Sequence, residues 1–298
     1  MPIAFFQTRT RFLRSIAALL LLTALGASGQ SPLRRKAAAT LHPPQVSDRE
    51  FSSKSLGKTV RYRVIVPGDY DRSTRRYPVL YLLHGLDGGY DNWETRTNLT
   101  SYIENYKFIV VLPDAGDSWY VDSATVPQNR YETFIVEDLI PEVERSLRVL
   151  RAPHRRAVAG LSMGGYGALK LALHNPGMFA FAGSISGALD APGELALVRP
   201  DFAKNLTEVF GPAESETRKT NDIYLLARAA RPPASLYLYI DCGSADWALP
   251  SNRALVGILS EKKFAYEYHE MPGMHSWEYW DRRLPELLDA VARRISQP

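Results

Sequence analysis

Ala157-Val158-Ala159-Gly160-Leu161-Ser162-Met163-Gly164-Gly165-Tyr166-Gly167 is the stretch on which the reading of this chain turns. A short apolar run leads into Gly-x-Ser-x-Gly, and the helix-forming residues 168–174 follow at once. That order predicts a strand, a sharp turn and a helix. In such a turn the serine takes a strained backbone conformation, and glycines two residues to either side remove Cβ atoms that would collide. Ser162 then stands at a helix N-terminus, whose partial positive charge favours the oxyanion formed when a hydroxyl attacks a carbonyl. A glycine-rich turn with a purely structural purpose has the same pattern, so the rest of the chain has to decide.

Outward toward the N-terminus, residues 78–83 form a continuous apolar run, the signature of a central strand covered on both faces. This run ends in His84-Gly85-Leu86-Asp87-Gly88-Gly89. Residues 108–112 predict a second buried strand, 59–66 an alternating half-buried one, and 51–53 a short opening strand. Helices are expected over 99–106 and 134–150, the second with Pro141 as a kink. The segment 117–129, with Trp119 and Tyr120, reads as a loop over the sheet.

Outward toward the C-terminus, strands are expected over 179–185, 235–240 and 264–269, and helices over 224–231, 253–262 and 284–295. Residues 271–280 read as a loop. Residues 190–222, with Pro192, Pro200 and Pro212, lack clear periodicity and are a candidate cap or pocket wall. Strands alternating with helices predict an α/β fold with a mostly parallel, twisted sheet of about eight strands and helices on both faces.

The chain has 298 residues, 45% hydrophobic and 23% charged, an ordinary globular balance. Its formal charge of +4 misleads, because six of the 36 basic residues lie in the first 36 positions, which hold no acid. The remainder has no basic excess, so no nucleic-acid partner is expected. Arg9, Arg11 and Arg14 precede the apolar run 16–25 and the small residues Gly26-Ala27-Ser28-Gly29. This is the pattern of a secretory signal over 1–29, with a run shorter than the roughly 20 residues a spanning helix needs. We therefore expect a secreted or periplasmic protein without stable membrane insertion, a flexible lead-in over 30–48, and one domain over 49–298. Cys242 is the only cysteine, which excludes an intrachain disulfide and a cysteine zinc site. No histidine and carboxylate cluster has metal-ligand spacing, so no metal or cofactor is expected.

In a sheet of this kind ligands sit beyond the carboxyl ends of the strands. Four polar clusters fall there: His84-Gly85, Ser162, residues 241–246 and residues 269–275. A serine hydroxyl needs an adjacent base, and the base needs a carboxylate to fix its tautomer. The chain order in this fold is serine, acid, histidine. His275, in a loop with Pro272 and Gly273, is assigned as base, whereas His269 sits inside a strand pattern. Asp246, five residues beyond the strand end, is preferred as acid over Asp241, which is expected to cap the turn through backbone amides. The oxyanion donors are expected to be the N–H groups of Met163 and Leu86. His84 precedes the serine, the wrong order for a base, and is expected to hold the oxyanion loop by hydrogen bonds. Trp119, Tyr120, Trp247 and Trp277 are candidate substrate-binding residues, able to stack on an aromatic acyl group or a sugar.

Leu82-Leu83-His84-Gly85 with Gly88-Gly89 and Trp93, Ser118-Trp119-Tyr120, Tyr131-Glu132-Thr133-Phe134-Ile135, the runs 160–165 and 241–246, and the run 273–280 together resemble the esterase D-type branch of the α/β-hydrolases. That branch includes S-formylglutathione hydrolases, feruloyl and acetylxylan esterases, tributyrin-type esterases and mycolyltransferases. The resemblance covers about 51–295 and implies an α/β-hydrolase fold with Ser162, Asp246 and His275 as the triad. The activity it implies is serine carboxylesterase chemistry through an acyl-enzyme, on a small-molecule or carbohydrate ester. An export signal disfavours a glutathione thioester, leaving short-chain or feruloyl and acetyl sugar esters. Acyl transfer to a sugar hydroxyl and a non-catalytic binding protein on the same fold are the alternatives.

Overall fold

The computed structural model describes residues 42–232 and 235–296. The expected signal over 1–29 and most of the expected lead-in lie outside these residues. The lead-in differs at its end: strand β1 begins at Gln45 and runs Gln45–Ser53. It is longer than the 51–53 read from sequence, because its nine residues pair in register with β2, Lys58–Val66. An exposed edge strand has no apolar run to advertise it.

Eight strands form one sheet in the order β1-β2-β4-β3-β5-β6-β7-β8. The remaining strands are β3 Val79–Leu83, β4 Ile109–Pro113, β5 Arg156–Leu161, β6 Phe181–Ile185, β7 Tyr237–Gly243 and β8 Ala265–Met271. Strands β3 to β8 pair in parallel, while β2 is antiparallel to both β1 and β4. The strands β3 and β5 carry the uninterrupted apolar runs and are buried at every position.

The two-residue period of a strand divides these runs between two cores. Tyr81, Leu83, Val111 and Val158 join one apolar cluster, and Leu80, Leu82, Val110 and Ala159 join the other. Before β5, the helices are α1 Asn92–Arg96, α2 Leu99–Tyr102, α3 Tyr131–Thr133 and α4 Ile140–Ser146. After it come α5 Met163–His174, α6 Leu195–Val198, α7 Ala203–Phe210, α8 Glu216–Thr220, α9 Ile223–Ala229, α10 Leu249–Lys262 and α11 Trp277–Ile295. Leu169 of α5, Ile223 of α9 and Leu255 of α10 pack in the first cluster; Leu99 of α2 and Leu284, Leu287 and Val291 of α11 pack in the second. Helices therefore cover both faces.

Three departures from the expected boundaries bear on the site. The helix expected over 134–150 starts at Tyr131, widens into π-helical turns over Phe134–Leu139 and ends at Ser146. Pro141, which has no N–H to give to the preceding turn, lies two residues past the wide segment. Helix α11 begins two turns before the expected 284, where Ser276 caps it by accepting from the Tyr279 N–H, and Pro285 is accommodated inside it. Strand β7 runs on to Gly243, which places Asp241 within the sheet. Among the described residues no helix is long and apolar enough to cross a membrane.

Candidate active site

The turn between β5 and α5 puts Ser162 at φ 52°, ψ −118°. Positive φ at a non-glycine residue costs about 1–3 kcal/mol and persists only where the surroundings impose it. Here they do: the Ser162 N–H donates to Ile185 O at 3.0 Å, and Ser162 O accepts from Tyr166 and Ala188 N–H groups, each at 3.1 Å. The flanking glycines are required sterically. A Cβ on Gly160 would lie 2.5 Å from the Gly164 backbone, and one on Gly164 would lie 2.5 Å from the carbonyl oxygens of Leu83 and His84. As the first residue of α5, Met163 carries an N–H that has no acceptor within the helix.

His275 Nε2 lies 2.9 Å from Ser162 Oγ, and His275 Nδ1 lies 3.0 Å from each carboxylate oxygen of Asp246. The Asp246 side chain is fully buried and the His275 side chain 15% exposed. Both loops are fixed by their backbones. Ser244 and Ala245 N–H groups donate to Met271 O and Gly273 O, and the Ala248 N–H donates to Asp246 Oδ1 at 2.8 Å. The chains approach so closely that a Cβ on Gly243 would fall 2.5 Å from Gly273 O. The Trp247 ring packs on the His275 ring at 4.4 Å, and Trp280 meets it edge-on at 5.0 Å.

Asp241 does not cap the turn through backbone amides, as the sequence suggested. It is buried in β7, where its carboxylate accepts from Tyr239 Oη at 3.0 Å, Tyr279 Oη at 2.5 Å and Arg283 Nε at 2.7 Å. The reason is the longer strand, which turns this side chain toward α11. His269 lies within β8, its Nε2 3.4 Å from Glu267.

The loop after β3 is held just as tightly. His84 is 1% exposed, with Nδ1 2.8 Å from Gly85 O and Nε2 accepting from the Ala115 N–H at 3.0 Å. Burial pushes its imidazole below the ordinary histidine pKa, and one donor plus one acceptor is the pattern of the neutral ring. Tyr120 Oη donates to His84 O at 2.9 Å, and Asp87, at φ 56°, donates its N–H to Asp117. Leu86 sits half-buried in this loop, on the wall of the same cavity as Ser162.

Two of the four expected substrate-binding aromatics are elsewhere. Trp119 and Tyr120 are fully buried, and neither lines the cavity at Ser162. Both take positive φ, near 56° and 57°, which folds their rings inward. Trp119 packs on Tyr166, Phe202 and Phe210 and donates Nε1 to Asn205, whereas Tyr120 braces the His84 loop. Trp277 does line the cavity, and Trp247 reaches His275 from the other side. That cavity, of about 400 Å³, is walled also by Asp87, Asn92, Arg96, Arg199, Asp201 and Phe202. Sequence reasoning singled out none of these six; the last three lie between α6 and α7, in the 190–222 segment that showed no periodicity because its helices are short. Arg199 grips Asp201 and stacks over the rings of Phe202 and Trp247. Among the described residues there is no group of three or more histidine, cysteine and carboxylate side chains able to hold a metal.

A strand-turn-helix serine, a histidine and a carboxylate joined at the carboxyl edge of a mostly parallel sheet define an α/β-hydrolase. The family model described as "Putative esterase" matches residues 53–291, and the chain belongs to that family. It is 32% identical over 281 residues to Esterase Rv1288 of Mycobacterium tuberculosis strain H37Rv, covering 85% of this chain and 60% of that protein. It thus spans about three fifths of that relative's length. It is 26% identical over 258 residues to an acetyl esterase of Caldicellulosiruptor saccharolyticus, covering 82% of this chain and 96% of the relative. A solved ferulic acid esterase superposes with a TM-score of 0.73 at 26% identity, covering 85% of this chain and 99% of that one.

Proposed function

We propose that this protein hydrolyses carboxylic esters through an acyl-enzyme on Ser162. The observation that carries the reading is the continuous chain from Ser162 Oγ to His275 at 2.9 Å and on to Asp246 at 3.0 Å. The Asp246 carboxylate holds the proton on Nδ1, leaving Nε2 to accept the hydroxyl proton as Oγ attacks the ester carbonyl. The oxyanion of the tetrahedral adduct takes hydrogen bonds from the Met163 and Leu86 N–H groups. Collapse breaks the C–O bond, and His275 returns the proton to the departing alcohol. Water then repeats the sequence on the acyl-enzyme, releasing the acid and restoring Ser162.

Membership of the esterase family and the relatives named above support ester hydrolysis. The cavity at Ser162, with Asp87, Asn92, Arg96 and Asp201 on its walls, supports a polar alcohol such as a sugar, in the short-chain, acetyl or feruloyl ester class. Residues 190–222 act as a partial cap over it. The arginine-led apolar N-terminus supports export.

Purified protein and its Ser162→Ala variant, assayed on p-nitrophenyl acetate, butyrate and octanoate and on methyl ferulate, test the reading. Loss of a triad member costs roughly 10⁴ to 10⁶ in kcat, so the variant is expected to be inert. A Ser162→Ala variant that retains wild-type turnover would overturn the assignment.

A further inference from the structure

Lys170 is fully buried on α5, about two turns beyond Ser162, and no step of the proposed hydrolysis uses it. Its ammonium donates to Glu132 Oε2 at 2.7 Å and to Tyr120 O at 2.8 Å. Glu132 is fixed in turn by Asn175 Nδ2 at 2.9 Å and His174 Nδ1 at 3.0 Å. Apolar residues of similar volume often serve stability as well as a buried ion pair does, so stability alone does not account for this one. The bond to Tyr120 O leads toward the active site.

Trp119 and Tyr120 are fastened to one face of α5. The Trp119 N–H donates to Met163 Sδ at 3.4 Å, a Cβ on Gly167 would run into the Tyr120 ring, and Lys170 holds the Tyr120 carbonyl. Positions 163, 167 and 170, at i, i+4 and i+7, share that helix face. Both Trp119 and Tyr120 stand at positive φ, a strain that persists only where the surroundings impose it and that clusters at functional sites. From this base the Tyr120 hydroxyl crosses to the loop after β3 and donates to His84 O at 2.9 Å. The next amide is locked as well. Gly85 O lies 2.8 Å from His84 Nδ1, so the Leu86 N–H, on the opposite side of that planar group, points away from the ring.

We propose that Tyr120 and Lys170 are positioning residues for ester hydrolysis, tying the loop that carries the Leu86 N–H to the helix that opens with the Met163 N–H, so that both donors meet one oxyanion. The proposal rests on the esterase reading. Neither side chain lines the Ser162 cavity; Tyr120 acts through the His84 carbonyl, and Lys170 through Tyr120.

Tyr120→Phe deletes the hydroxyl and keeps the ring on Gly167. Lys170→Met combined with Glu132→Gln deletes the ammonium without stranding its partner's charge. On p-nitrophenyl acetate each is expected to lower kcat about tenfold or more, with KM within about twofold of wild type. An oxyanion donor is worth about 10²–10³ in kcat, and a misplaced one forfeits part of that. A trifluoromethyl ketone, to which Ser162 adds to give a tetrahedral oxyanion, is expected to bind more weakly by about the same factor. A brace for stability alone would lower Tm and leave both quantities unchanged well below the transition. Wild-type kcat and ketone affinity in folded Tyr120→Phe, or a loss carried by KM, would overturn the proposal, and the same result in the double variant would overturn it for Lys170. A wild type that neither cleaves the ester nor binds the ketone would overturn the esterase reading instead.

Discussion

Replacing Asp241 with alanine removes a carboxylate that accepts from Tyr239, Tyr279 and Arg283 at 3.0, 2.5 and 2.7 Å. The Asp241 side chain is fully buried and the Arg283 side chain 7% exposed. Removing one partner of such a pair costs about 3–5 kcal/mol, because the other charge stays buried. Arg283 keeps Glu286 at 3.0 Å on its outer side, which sets the expectation near the lower end. The two stranded tyrosine hydroxyls offset that relief, since a buried unsatisfied donor costs about 1–3 kcal/mol. A total of about 4 kcal/mol corresponds to a fall in Tm of roughly 8–16 °C for a domain of this size. The effect reaches the site as well. The Tyr279 ring occupies the space where a Cβ of Gly273 would stand, two residues before His275. Loss of its anchor slackens that loop, so kcat is expected to fall more than KM rises. Thermal unfolding by circular dichroism, with kinetics measured well below the transition, reads both effects. A Tm within 3 °C of wild type (about 1 kcal/mol), or an unchanged kcat in the folded variant, would refute the reasoning.

Other perturbations have equally defined outcomes. Burial opposes ionisation of Glu132, but the Lys170 ammonium at 2.7 Å and His174 at 3.0 Å hold its carboxyl well below the ordinary range. A depressed folded pKa contributes stability that is full above the unfolded value near 4.5 and is lost as pH falls. Glu132→Gln is therefore expected to cost roughly 3 kcal/mol at pH 7, in a gap that narrows below pH 4.5; a pH-independent gap in urea titrations would contradict this. Burial pushes the Asp190 carboxyl up to about 6, so keeping it in the fold costs stability that builds as pH rises from about 3.8 to about 6 and is full above that. Asp190→Asn is expected to raise Tm at pH 8 and to leave it unchanged well below pH 3.8, and the reverse order would contradict it. Gly164→Ala drives a Cβ to within 2.5 Å of the Leu83 and His84 carbonyls. Displacement of the loop after β3 is expected to lower kcat about 10²-fold in steady-state assays, and near-normal turnover would contradict this.

Much of this architecture is legible in the residues, and the exceptions have local causes. The β3 and β5 runs are apolar at nearly every position because both faces of these strands are covered. Ser162, Asp246 and His275 stand out because glycine and proline mark turns at the carboxyl ends of strands. The structure brings His275 within hydrogen-bonding distance of both Ser162 and Asp246. Trp119 and Tyr120 misled because they sit in a polar, aperiodic stretch, and no composition signal announces the two consecutive positive φ values that bury their rings. Asp241 misled because the next residues, Cys242 and Gly243, resemble a turn, although pairing with β8 keeps them extended. Arg199, Asp201 and Phe202 gave no signal, since their role comes from a short irregular segment that tertiary packing lays beside His275.

The claim that Ser162 is the nucleophile is tested most directly by trapping the covalent enzyme. Wild-type protein treated with a fluorophosphonate and mapped by peptide mass spectrometry is expected to carry one adduct, on the peptide holding Ser162. Ser162→Ala is expected to carry none, and His275→Ala to label far more slowly. An adduct on another residue, or labelling of Ser162→Ala at the wild-type rate, would contradict the account.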